Sequence, residues 1–225
     1  MMDLEGRVAA HIDGLMRRYP ALSAIRGEIE AAYLLMRESY EGGGKLLVAG
    51  NGGSASDSEH IVGELMKRFS IPRPIPEALA RRLMDVDPVR GAALAKSLEN
   101  PLTAIPLVAH EALTTAFMND ADSADVYAQQ LLGYGRPGDV FLAISTSGNS
   151  ENILRAIVTA RALGLRTVGL TGASGGAMAA LCDMTVKAPA TETYIVQEYH
   201  LPIYHCWCLM LEEYFFGAES AGSER

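Results

Sequence analysis

Apolar residues recur at helical spacing through 3–18 (Leu4, Val8, Ala9, Ile12, Leu15, Met16) and again through 21–40 (Leu22, Ile25, Ile29, Ala32, Leu35, Met36). Pro20 separates the two stretches, and Gly42-Gly43-Gly44 closes the second. The period then changes. Residues 45–49 form a short unbroken apolar run, the pattern of a strand covered on both faces, and a helical stretch to about Arg68 follows. The alternation returns downstream, with strands predicted over 139–144, 166–170 and 184–187 and helices over about 151–163, 175–182 and 193–216. Residues 102–108 read as one more strand. Strands alternating with helices imply crossover connections, so the pattern predicts one α/β domain over 1–225. Its form is a three-layer α/β/α sandwich with a mostly parallel five-stranded sheet.

Two regions resist this reading. The N-terminal stripes have no evident partner in so short a chain, which predicts that they pack in an oligomer. Residues 70–100 are punctuated by Pro72, Pro74, Pro76 and Pro88, with short helical runs at 77–84 and 91–98. This stretch reads either as an insertion over or beside a site or as a plain long excursion, and length alone does not decide between them.

Composition narrows the function. Of the 225 residues, 49% are apolar and 20% charged, which excludes a disordered chain. A net charge of −8 gives no electrostatic reason to bind nucleic acid. No apolar run approaches the ~20 residues of a membrane span. The first residues lack a basic start and an apolar leader core, and Cys182, Cys206 and Cys208 do not form a disulfide framework. A cytoplasmic protein is the expectation.

Two loops follow predicted strands and open onto predicted helices. The first runs Gly50-Asn51-Gly52-Gly53-Ser54, and the second Ser145-Thr146-Ser147-Gly148-Asn149-Ser150. Glycines let backbone amides turn toward an anion, a helix N-terminus adds partial positive charge, and four hydroxyls crowd the second loop. Glycine and serine also suit a tight turn and an N-cap, so either loop alone is ambiguous. On the helix after the first loop, His60 and Glu64 share a face, ~40° apart. That spacing allows two metal ligands, a base beside a polarising group, or a plain i,i+4 pair. The late helix carries Gln197, Glu198, His200 and His205. Ideal geometry puts Glu198 ~20° and Gln197 ~80° from His205, and Pro202 disturbs that count, so spacing leaves the partner of His205 open. Cys206 and Cys208 point ~160° apart, which favours packing over shared metal ligation.

Taken together, the two loops resemble the sugar isomerase (SIS) family, and within it the phosphoheptose isomerases, over about 1–69 and 117–216. The resemblance implies an aldose–ketose isomerase interconverting sedoheptulose 7-phosphate and a D-glycero-D-manno-heptose 7-phosphate. It implies phosphate binding by Ser145, Thr146, Ser147 and Ser150, with Asn51, Gly52, Gly53 and Ser54 beside them. It further implies a zinc site of His60, Glu64, Gln197 and His205, an acid/base pair of Glu64 and His205, sugar contacts from Asn119-Asp120, and a homotetramer. Residues of about 73–99 are extra relative to the family pattern. They support a different sugar phosphate as an alternative substrate. A non-catalytic SIS module, a sugar-phosphate sensor or an adaptor to the replication initiator, is the other alternative, but it would not need the His–Glu–Gln–His set.

Overall fold

The first helix begins where Asp3 accepts a hydrogen bond from the Gly6 amide at 2.8 Å, an N-cap with Glu5 in the first turn. A computed structural model describes residues 3–220, with side chains through Gly217; Met1, Met2 and 221–225 lie outside the described residues. After α1 (Leu4–Arg18), a 3-10 turn at Pro20–Ile25 leads into α2 (Arg26–Glu41). Then come β1 (Leu46–Ala49), α3 (Gly53–Met66), α4 (Glu77–Val86), α5 (Pro88–Ser97) and β2 (Ala104–Pro106). The chain continues through α6 (Glu111–Asp120), α7 (Val126–Tyr134), β3 (Val140–Ile144), α8 (Glu151–Ala162) and β4 (Arg166–Thr171). It closes with α9 (Met178–Leu181), β5 (Met184–Lys187) and α10 (Thr193–Ser220). The apolar pattern predicts the five strands but neither α6 nor α7, which carry weak apolar periodicity in a stretch between two strands.

The sheet is parallel throughout, in the order β2-β1-β3-β4-β5. Alternate residues of the strands feed two cores. Leu46, Val48, Leu142 and Val168 face α1, α2, α3 and α10, whereas Leu47, Ala49, Phe141 and Ala143 face α7, α8 and α9. The chain leaves β1 toward β2 on one side and returns to β3 on the other. The carboxyl ends of β1 and β3 therefore flank a point where the strand order reverses, the place where an open α/β sheet leaves a crevice.

The N-terminal helices do have a partner within the chain, contrary to the expectation from sequence. Val8, Ile12 and Leu15 of α1 and Ile29, Ala32 and Met36 of α2 are buried, with α1 packed on α10. The reason is the length of α10, whose 28 residues outrun the site and supply Trp207, Cys208 and Leu211 as cover. The Trp207 indole donates to the Ile29 carbonyl at 2.9 Å. Cys206 and Cys208 are buried packing residues, as their spacing predicts.

The uncovered apolar surface lies elsewhere. Helices α4 and α5 form a hairpin that packs chiefly on itself. No residue of α4 is buried, and in α5 only Gly91 is, where it meets the backbone of α4 at Leu83. Val86 and Val89 at the tip are 88% and 81% exposed. The hairpin corresponds to the 73–99 excursion, and its base is narrow: Pro74 and Glu99 form an antiparallel bridge, and the Asn100 amide donates to the Arg73 carbonyl at 2.7 Å.

At that base sits a fully buried ion pair. The Arg73 guanidinium meets Glu212 of α10 at 2.8 Å, and neither side chain is exposed. Glu212 also accepts from the Phe69 and Ser70 amides at 2.7 Å, while Arg73 donates to the Leu65 carbonyl at 2.8 Å and lies over the Phe216 ring. Burial of both charges is tolerable because each is hydrogen-bonded on several sides. Glu212→Gln should leave Arg73 charged and buried, at a cost of ~3–5 kcal/mol. Urea denaturation should show a clear drop in midpoint with an unchanged slope; an unchanged midpoint would show that this pair does not secure the fold.

Candidate active site

The two glycine–hydroxyl loops meet at the crevice between β1 and β3. In the first, Gly52 adopts a left-handed φ of +56° and α3 starts at Gly53; the Ser54 and Ala55 amides turn back to the Asn51 and Gly52 carbonyls, and the Gly53 end of the helix faces the cleft. Tyr127 of α7 fixes this loop from behind, its hydroxyl donating to the Gly50 carbonyl at 2.8 Å. Asn51 and Asn152 exchange two amide hydrogen bonds of 2.9 Å, which tie the first loop to α8. In the second loop the Ser145 and Ser150 hydroxyls lie 3.0 Å apart. Gly148 has a φ of +67° and presses against the carbonyl of Gly175, an approach that leaves no room for a Cβ.

Between the loops lies a cleft of about 330 Å³. Asn51, Gly52, Gly53 and Ser54 line one wall and Ser145, Thr146 and Ser150 the other. Gln197 and Thr193 of α10 close it. No lysine or arginine is among the lining residues. An anion here would be held by hydroxyls and helix-terminal amides, the arrangement that suits phosphate. Ser147 is not among the lining residues; it is exposed, and its Oγ accepts from the Asn149 amide at 3.2 Å. Asn119 and Asp120 stand exposed at the end of α6, bonded to each other, and line neither this cleft nor the neighbouring cavity that Thr114, Met118 and Ser123 share with Asn51 and Ser150. Thr193 was not anticipated, since a threonine at a helix start reads as a cap.

Two turns along α3, a second cluster faces α10. The His60 Nε2 atom lies 3.2 Å from Glu64 Oε1 and 3.3 Å from His205 Nε2. Lys67 reaches the other Glu64 oxygen at 3.2 Å. The Phe69 ring stands against His205 at a centroid distance of 5.3 Å. Burial, and then the neighbouring His60 ring, hold His205 below the ordinary histidine range. Behind His60, the buried Tyr204 and the half-buried Asp57 form a hydrogen-bonded group that the sequence reading missed. Its only sequence trace is that Asp57, His60 and Glu64 share one face of α3.

The helices α3 and α10 run parallel, so Gln197 sits beside Gly53 while His205 sits beside His60. Of the four residues expected to hold zinc, the structure brings His60, Glu64 and His205 together. It leaves Gln197 in the cleft, without a hydrogen bond to the other three. No three His, Cys, Asp or Glu side chains among the described residues stand ready in metal-ligand geometry. The two close approaches of His60 nevertheless match the ~3.3 Å that separates neighbouring ligands of a tetrahedral zinc. Two imidazoles and a carboxylate are also the ligand types zinc prefers, so the donor set fits that ion. His200, by contrast, is buried with neither ring nitrogen hydrogen-bonded among the described residues, and burial pushes it down to about 4; no hydrogen bond joins it to the cluster. Glu198 is exposed, which removes it as a partner of His205.

Comparison with known proteins agrees with this geometry. A SIS domain model matches residues 15–101 and 90–172. A phosphoheptose isomerase of Aromatoleum aromaticum is 36% identical over 222 residues, covering 97% of this chain and 99% of that protein. One of Aneurinibacillus thermoaerophilus is 39% identical over 179 residues, covering 80% and 77%. The solved phosphoheptose isomerase of Neisseria gonorrhoeae superposes with a TM-score of 0.66 at 30% identity, over 92% of this chain and 98% of that one. That of Francisella tularensis gives a TM-score of 0.72 at 28% identity, over 94% and 100%.

The second loop offers a direct test of the cleft. Gly148→Ala forces a left-handed alanine, worth ~1–2 kcal/mol of strain, before any clash with Gly175 is counted. Tm should fall by at least about 2 °C. Inorganic phosphate should bind more weakly in titration calorimetry. Unchanged phosphate affinity would place the anion site elsewhere.

Proposed function

The chain belongs to the SIS-domain family, among the phosphoheptose isomerases, and is an aldose–ketose isomerase of phosphorylated sugars; from that premise we propose sedoheptulose 7-phosphate as its substrate and the α3–α10 cluster as its reaction centre. The observation that carries this reading is the sharing of one helix by two sites. The anion cleft opens at Gly53, and the titratable cluster begins at His60, ~10 Å further along the axis. An extended seven-carbon phosphosugar covers that span with its phosphate at one end and C1 and C2 at the other. A triose does not.

In this mechanism the hydroxyls of Ser145, Thr146 and Ser150 and the first amides of α3 bind the phosphate. The Glu64 carboxylate takes the proton from the carbon next to the carbonyl and returns it to the neighbouring carbon. His205 serves the oxygen side, holding or passing the second proton. Asn119 and Asp120, exposed at the end of α6, are assigned to the sugar on the family resemblance. His60, Glu64 and His205 would hold zinc, with Gln197 as the fourth residue that the resemblance implies. When bound, zinc supplies Lewis acidity toward the carbonyl oxygen. The exposed apolar residues of α4, α5 and α6 support self-association, and a homotetramer is the state proposed. No helix among the described residues is long and apolar enough to cross a membrane, and the proposed location is the cytoplasm.

Glu64→Gln keeps the shape of the side chain and removes the base. With sedoheptulose 7-phosphate, turnover should fall at least ~10²-fold while binding persists through the cleft. Near-normal turnover would exclude Glu64 as the base. Treating the wild-type enzyme with a chelator should abolish turnover and added zinc should restore it; full activity in the chelated protein would remove zinc from the mechanism.

A further inference from the structure

Tyr204 is 1% exposed, and its hydroxyl has two partners. Asp57 Oδ1 lies at 3.1 Å and His60 Nδ1 at 3.1 Å. A phenol has one proton to give. The Asp57 carboxylate can only accept, so the Tyr204 proton goes to Asp57. The hydroxyl oxygen must then accept from His60, which places the His60 proton on Nδ1. In the neutral ring the remaining nitrogen, Nε2, then carries the lone pair. It is this atom that faces Glu64 at 3.2 Å and His205 at 3.3 Å.

The other Asp57 oxygen is buried and has no hydrogen-bond partner among the described residues, so Tyr204 is the one side-chain donor they give this carboxylate. The Tyr204 ring also stands edge-on to both His60 and His205, at 5.5 and 5.0 Å between centroids. A lone pair turned toward a carboxylate is a repulsive arrangement until a cation stands between them. From this we infer that Tyr204, backed by Asp57, is a positioning residue for metal binding: it locks His60 in the tautomer whose Nε2 is free to ligate. This rests on the zinc reading of the same cluster, and it assigns no contact with substrate to Tyr204.

The test reads metal affinity as well as activity. Zinc binding to the full-length protein is measured by competition with a chromophoric chelator for wild type, Tyr204→Phe, Asp57→Ala and the double variant. Tyr204→Phe keeps the ring and its edge contacts but removes the acceptor for His60 Nδ1. Its zinc affinity should fall ~10–100-fold, the usual effect of losing an outer partner of a metal-bound histidine. Asp57→Ala frees the Tyr204 proton to point at His60 and should weaken zinc to a similar degree. Because both residues act through one hydrogen-bond chain, the double variant should lose little more than either single one. Urea midpoints of the metal-free proteins identify any variant that fails to fold, and Asp57→Ala then carries the test if Tyr204→Phe does not fold. Wild-type zinc affinity in a folded Tyr204→Phe protein would overturn the role of Tyr204 and leave the isomerase reading standing. Fully additive losses would show two independent structural effects and would likewise overturn it. A wild-type chain that binds no zinc would overturn the metal reading and this inference with it, while isomerase activity would still test the substrate assignment.

Discussion

Glu212 and Arg73 are sealed from water, yet each makes several hydrogen bonds, and most of those run to backbone at the end of α3 or the turn that follows it. The consequence is a fixed register between α3 and α10. Were α10 to slide by one residue, Glu212 would leave the Phe69 and Ser70 amides, and a buried charge would lose its partners at a cost of several kcal/mol. The same slide would rotate His205 away from His60 and Tyr204 away from Asp57. A pair that touches none of the reacting groups thus sets where those groups stand. The parallel run of the two helices carries that constraint back to Gln197 and the cleft.

One helix carries two kinds of chemistry, and its polarity keeps them apart. The anion end is the N-terminus of α3, where the positive end of the helix dipole favours negative charge. That influence fades within a turn, so Glu64, near the opposite end, feels little of it. The arrangement also makes the span between the sites a property of α-helical rise, which few substitutions can alter.

How much of this was readable beforehand follows from the range of each interaction. The β-strands and both loops announce themselves within a few residues, through unbroken apolar runs followed by glycine and hydroxyl clusters. The wall of the cleft is therefore legible in Ser145, Thr146 and Ser150, while Ser147 of the same motif is not among its lining residues. The pairing of α1 with α10 joins residues about 200 positions apart, and nothing near Val8 or Ile12 encodes it. The Arg73–Glu212 pair was equally hidden, since a lone arginine among prolines reads as an exposed turn. Spacing alone left His205 between Glu198 and Gln197; the structure exposes Glu198 and sets His205 against His60. Asp57 and Tyr204 escaped notice because an aspartate in a helix and a tyrosine beside a histidine are unremarkable until they meet across two elements.

The α4–α5 hairpin has a further consequence. Its chain leaves and re-enters the body at a single place, where Pro74 and Glu99 bridge and Asn100 bonds to Arg73. Because the two ends are already held together, the length and composition of what lies between them are nearly decoupled from the sheet and the cleft, and loop closure grows only slowly with length. The hairpin is thus an exchangeable appendage. Shortening it, extending it or replacing it with a foreign segment changes the outer surface of the molecule while the isomerase body keeps its own core, a freedom available at few other points in a chain this compact.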